Sequence, residues 1–353
     1  MRRVLIFCVL AVVCAVPALG AEIAVPGLDQ VWEEAEGCGV RRDTTLDQGL
    51  SNLFADAVDQ AGALFRASLA TAAKLVAVVL LCSLAESVRV GAGEGLQAVN
   101  IAGALAITAL TMTDMAAMIG LGRDTLDRMT GLSNLLLPAM AGLTAATGSV
   151  TAAAARQGAT VLFSQLLITA MDRLLVPLVY AFVAVSCAHA AVGNPGLKKV
   201  ADLLKGTVTF VLTALLLAFV GYLTASGAIA GSVDASAVKA AKLAISRAIP
   251  VVGGILADAS ESVLAGAGVL RGAVGMTGLL VVLAVCLTPF LRLAVQYLVY
   301  KGAAALCAMV AQPRLSGLID AIGSAFGLVL GMTGAGALVL LVSLVSAVKA
   351  VVP

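Results

Sequence analysis

The sequence predicts an all-α protein: a polytopic bundle of about six to eight transmembrane segments. Two observations carry that expectation. Of 353 residues, 61% are hydrophobic and only 12% charged, with a mean hydropathy of +1.07; soluble domains are nearer half apolar and a quarter charged. The apolar residues are also gathered into runs of about 20 residues, the length a helix needs to cross the hydrocarbon core. Alanine, leucine, valine and glycine dominate while aromatics reach only 4%, a bias that lets helix backbones approach closely.

The chain begins with a signal-like segment. Arg2 and Arg3 precede an apolar run from Val4 to Val16, and Ala18 and Gly20 supply the small residues of a cleavage site between Gly20 and Ala21. Residues 1–20 therefore read as a signal peptide, with an uncleaved first span as the competing reading. Residues 21–66 are polar and acidic, carrying nine Asp and Glu against Arg41, Arg42 and Arg66. That balance suits the extracytoplasmic side, because lysine and arginine mark the inside. Within the segment, Leu46, Leu50, Leu53, Phe54, Val58, Ala61 and Leu64 recur at helical spacing, which predicts an amphipathic helix on the membrane surface.

The multispan domain occupies 67–353. Spans are expected at about 68–89, 97–119, 157–190, 206–230, 275–300 and 320–348. Two weaker segments, 132–150 and 250–272, are short or carry charge and fit half-spanning or re-entrant helices. Lys198, Lys199 and Lys205 mark their loop as cytoplasmic, yet Lys239, Lys242 and Arg247 make the next loop basic as well. Either 234–248 is an interfacial amphipathic helix or the span boundaries differ.

An internal duplication is suggested by proline spacing. Pro138 and Pro250 lie 112 residues apart, as do Pro177 and Pro289. Each pair sits in the order span, charged stretch, proline, weak segment, proline-broken span, giving repeats over 96–195 and 206–307. Duplicated units with interrupted helices recur in transport proteins, although an Ala/Gly-rich chain also yields such matches by coincidence.

Ionisable residues inside apolar segments are the candidate polar or transport site, since each is costly in lipid unless paired or wet. These are Asp114, Asp172, Arg173, Asp258, Glu261 and Arg292. Asp258 and Glu261 share a helix face, and the plainer reading has them facing water at an interface. Asp172 and Arg173 are adjacent and so point differently, each toward a partner on another helix. Gly323, Gly327 and Gly331 form a stripe that permits close helix packing.

Other chemistries are excluded. A net charge of +2 without a basic, aromatic-interleaved run gives no footing for nucleic acid. There is no Cys-x-x-Cys pair, and His189 is the sole histidine, so no metal site is expected. Phosphate-loop, Gly-x-Ser-x-Gly and His-Glu-x-x-His motifs are missing. No enzyme and no cofactor are expected, and any energy source must be an ion gradient or a separate ATPase.

The stretch from Lys239 through Pro250, Gly253-Gly254, Asp258 and Glu261, running on to Gly272-Ala-Val-Gly275-Met-Thr-Gly278, resembles the stage III sporulation protein AE family. The likeness is strongest across about 234–300, and the overall plan matches over the whole chain. The resemblance implies an integral subunit of a channel or secretion-like complex linking mother cell to forespore. It implies a place in the mother-cell membrane around the forespore, beside a separate ATPase and ring-forming partners. It transfers no catalytic residue. The residues themselves leave two alternatives open: a stand-alone secondary transporter of a small solute, and a non-conducting membrane scaffold.

Overall fold

The computed structural model describes residues 46–88, 93–146, 162–225, 273–310 and 313–351. The signal-like segment, the loop at 234–248, and Pro250, Asp258 and Glu261 lie outside them. Among the described residues there are helices and no strands. They form α1 (Leu46–Val88), α2 (Gly93–Ala146), α3 (Leu162–Val192), α4 (Pro195–Ala225), α5 (Ala273–Ala308) and α6 (Pro313–Val351). Each contains a stretch long and apolar enough to cross a membrane. A helix satisfies its own backbone, which lipid does not do. Hydroxyls within the apolar stretches are satisfied the same way: Thr111, Thr125, Thr333 and Ser343 donate to the carbonyls of Ile107, Leu121, Val329 and Val339 at 2.6–2.9 Å.

Two helices are longer than the sequence suggests. The amphipathic stretch after Leu46 is not a separate surface helix but the first part of the 43-residue α1. The weak segment at 132–150 is not a separate element up to Ala146, because α2 runs unbroken for 54 residues. The charged stretch between them does not end the helix for a simple reason. Arg123 and Asp127, and Asp124 and Arg128, are opposite charges four apart, a spacing that supports a helix. All four face outward, while Leu126 and Met129 are buried. Pro138 and Pro289 also lie inside continuous helices, where each removes one backbone donor without ending the helix. Pro177 coincides with a real irregularity: Met171–Leu175 form a π-turn, and the Val176 N–H donates to the Met171 carbonyl.

α6 is the central helix, with 94% of its span buried against 17% for α1. Its glycines set how closely neighbours approach. A Cβ at Gly323 would stand 3.2 Å from Tyr300 Cβ, and one at Gly327 2.9 Å from the Tyr297 ring, so α5 lies directly on this face. α2 packs on another face, where Gly122 meets Val329 and a Cβ at Gly336 would stand 2.8 Å from Met129 Sδ. α3 reaches α6 through a buried Ser164–Ser343 hydroxyl pair at 2.9 Å. Phe163 on α3 stacks on Tyr222 of α4 at 6.1 Å. α1 closes the outer side: a Cβ at Gly103 would stand 2.8 Å from Cys82 Sγ, and Ser83 donates to the Val310 carbonyl at 3.1 Å.

These contacts fix the topology as three antiparallel hairpins, α1–α2, α3–α4 and α5–α6. The carboxy-terminal ends of α1, α3 and α5 lie with the amino-terminal ends of α2, α4 and α6 at one end of the bundle. The α3–α4 turn is written in sequence: Gly193 adopts φ 74° and caps α3, its N–H donating to the His189 carbonyl. Asn194 then caps α4, its Oδ1 accepting the Gly196 N–H at 2.8 Å with Pro195 at the first helical position. At the opposite end, α2 and α4 finish and α3 and α5 begin.

Candidate functional site

The hairpin-turn end holds a polar cavity of about 240 Å³ between α3, α4 and α6. Ser186 and His189 contribute from α3, Lys198, Asp202 and Lys205 from α4, and Arg314, Asp320 and Ser324 from α6. Lys205 lies ten residues into α4 and Asp320 seven into α6, about 15 and 10 Å from the helix starts at 1.5 Å per residue. These charges therefore lie two to three turns inside helices long and apolar enough to span a membrane, where an unpaired charge is costly if lipid reaches it.

Their geometry is specific. Lys301 Nζ on α5 contacts Asp320 Oδ1 at 2.6 Å and donates to Ser324 Oγ at 2.9 Å. Lys205 Nζ donates to the same Ser324 Oγ at 3.2 Å. Two ammonium groups from different helices thus converge on one hydroxyl, with one carboxylate beside it. A second cavity of about 390 Å³ opens on the other side of Asp320, floored by Ala304, Ala305 and Ala308 and by Gly317. Among the described residues no cluster of His, Cys, Asp or Glu has the makings of a metal site.

The residues singled out from sequence lie mostly elsewhere. Asp114 on α2 accepts the buried Tyr300 hydroxyl of α5 at 2.9 Å. Tyr300 also meets Phe326 edge-on at 4.9 Å. Asp172, in the π-turn, forms an ion pair with Arg123 of α2 at 2.8 Å, with side-chain exposures of 17% and 59%. The buried Asp172 Oδ1 has no aligned hydrogen-bond donor even so. Arg173 is exposed, on the other side of its helix. Arg292 follows Pro289 on α5, its Nε buried without a hydrogen bond, one turn from Gln296, whose Oε1 is in the same condition. Gly323, Gly327 and Gly331 are all buried on α6.

The structure does not bring these acids and arginines into one site; it gathers Lys205, Lys301, Asp320 and Ser324 instead. Sequence reasoning placed Lys205 in a cytoplasmic loop and passed over the other three. A signal did exist. Lys301 lies seven residues before the end of α5 at Ala308 and Asp320 seven after the start of α6 at Pro313, and residues equidistant from the connection of an antiparallel pair face each other.

Among the described residues, six apolar helices, one of them buried at the centre, define the class: a multi-pass helical membrane protein. The model of the family "Stage III sporulation protein AE" matches residues 43–350, so the chain belongs to the stage III sporulation protein AE family. A Bacillus subtilis (strain 168) protein, "Stage III sporulation protein AE", is 22% identical over 197 residues, covering 56% of this chain and 49% of that relative. The matched region thus spans about half the length of the curated relative. No solved structure matches.

Proposed function

We propose that this protein is an integral membrane subunit of the channel or secretion-like complex that joins mother cell and forespore during endospore development. The observation that carries the reading is the family match across residues 43–350, together with six helices fit to span a membrane. In this reading residues 1–20 act as a signal peptide and the body sits in the mother-cell membrane around the forespore. It works by assembly with other subunits, a separate ATPase among them, and catalyses nothing itself.

A permease-like role within that complex is supported by the polar residues on the span-length helices, Lys205, Lys301 and Asp320 together and Asp172 at a π-turn. Short π-turns inside α-helices cluster at functional positions. In this reading the repeats 96–195 and 206–307 are taken as parallel units, a choice supported by α2 and α4 running one way and α3 and α5 the other.

Deleting the gene in its host tests the reading. Loss of heat-resistant spores and of late forespore gene expression, with normal vegetative growth, is the expected result. Normal sporulation would overturn it and bring the stand-alone transporter forward.

A further inference from the structure

We propose that the cavity between α3, α4 and α6 binds a phosphate group. The inference rests on the cavity's own charges and not on the sporulation role.

Its lining has more cationic than anionic groups. Lys198, Lys205 and Arg314, with His189 beside them, face Asp202 and Asp320. Asp320 is already engaged, held by Lys301 at 2.6 Å. Lys205 has a hydroxyl partner in Ser324 but no carboxylate within ion-pair reach among the described residues. Ammonium groups that converge on one hydroxyl repel each other, and Asp320 beside them is shared with Lys301. An anion in the cavity relieves that repulsion.

Arg314 gives the second observation. Its guanidinium lies directly on Gly193, so close that even a methyl group there would overlap it. Gly193 is the left-handed cap of α3, with φ 74°. The absence of a side chain at this one turn lets Arg314 fold over the cavity mouth. It makes no ion pair among the described residues, so its donor fork is available, and that fork suits phosphate oxygens. The amino-terminal ends of α4 and α6 open at the same end of the bundle and add their partial positive charge.

The cations come from two helices, α4 and α6, with a third, α5, reaching in through Lys301. Approach from three directions matches a tetrahedral oxyanion better than a planar carboxylate. With Lys198 and Lys199 read as inside residues, this end faces the cytoplasm. Two sources of phosphate meet there: anionic lipid headgroups, which basic pockets between spans accept, and soluble phosphate.

The test uses the full chain purified in detergent and in nanodiscs. Inorganic phosphate is titrated against thermal stability in detergent. Separately, retention of phosphatidylglycerol over phosphatidylcholine is measured by mass spectrometry after extraction from mixed nanodiscs. The variants are Lys205→Gln, Arg314→Gln and, as a control for charge at the same end, Lys199→Gln, which does not line the cavity. Arg314 is exposed, so its replacement leaves the packed core intact should Lys205→Gln fold poorly.

Loss of one charge-assisted hydrogen bond is expected to weaken binding about tenfold in each cavity variant, with the control within about twofold. A phosphate-dependent shift lost in the cavity variants identifies the soluble source. Selective phosphatidylglycerol retention lost in them identifies the lipid source. No binding of either probe, binding undiminished by both cavity variants, or an equal loss in Lys199→Gln overturns the proposal. Binding confined to acidic peptides of a partner protein overturns it too.

Discussion

Lys301 on α5 and Asp320 on α6 meet at 2.6 Å across the α5–α6 hairpin. The pair is part-exposed, at 29% and 51%, so solvent screens much of its attraction. Its coupling in a double-mutant cycle with Lys301→Met and Asp320→Asn is therefore expected at about 1 kcal/mol or less. Thermal unfolding of the four proteins in one detergent measures it. A coupling several times larger would mean that water does not reach the pair, against the exposures found here.

The Gly122 contact gives a prediction of opposite signs on one helix. A Cβ at Gly122 would overlap Val329 Cγ1, while a Cβ at Gly120 meets nothing within 4 Å. Valine is stiff at χ1 and α6 is enclosed, so the neighbour has little room to yield. Gly122→Ala is expected to destabilise by about 1–3 kcal/mol. Gly120→Ala, which gains helix propensity without a clash, is expected to stabilise by roughly 0.5–1 kcal/mol. Equal melting temperatures for the two variants would contradict the close α2–α6 approach.

What was legible in the sequence was whatever depends on neighbours along the chain. Six apolar stretches are a local property, and so is the Gly193-Asn194-Pro195 turn. The extent of α2 was hidden because charges between apolar runs look like a loop, whereas Arg123 to Arg128 form a solvated helical face. The cavity was hidden for a different reason: its residues come from α3, α4, α5 and α6 and meet only after those helices pack. Asp172 and Arg123 were each visible, but their pairing across α2 and α3 depends on a π-turn that no local pattern announces.

Tyr300 and Asp114 provide a third test. Tyr300→Phe removes the donor and leaves a part-buried carboxylate unpartnered, at an expected cost of about 1.5 kcal/mol. Asp114→Asn keeps an oxygen that accepts the phenol and should cost less. Denaturation of both variants decides the order, and the reverse order would mean that the charge, and not the hydrogen bond, matters.

The three-hairpin topology predicts a labelling pattern. In a background without cysteine, Lys199→Cys and Met309→Cys should react with an impermeant maleimide from the same side of the membrane. Ala225→Cys should react from the other, since α4 ends at the far end of the bundle. Lys199→Cys and Met309→Cys labelling from opposite sides would sink the alternating arrangement.

Asp172 separates a permease-like subunit from a passive scaffold. Its partner Arg123 is 59% exposed, so the ion pair is screened and Asp172→Asn should shift stability by no more than about 1 kcal/mol. A part-buried carboxylate in a π-turn, whose Oδ1 has no aligned hydrogen bond, is what a wet path through the bundle would use. The variant is therefore expected to accumulate to normal levels and melt near the parent. Its count of heat-resistant spores should nonetheless fall by at least about tenfold, as befits an intramembrane acid with a functional role. Arg123→Gln, which frees the acid without removing it, should have the milder phenotype. Normal spore counts in Asp172→Asn, with normal protein levels, would reduce the acid to a packing detail and favour the scaffold.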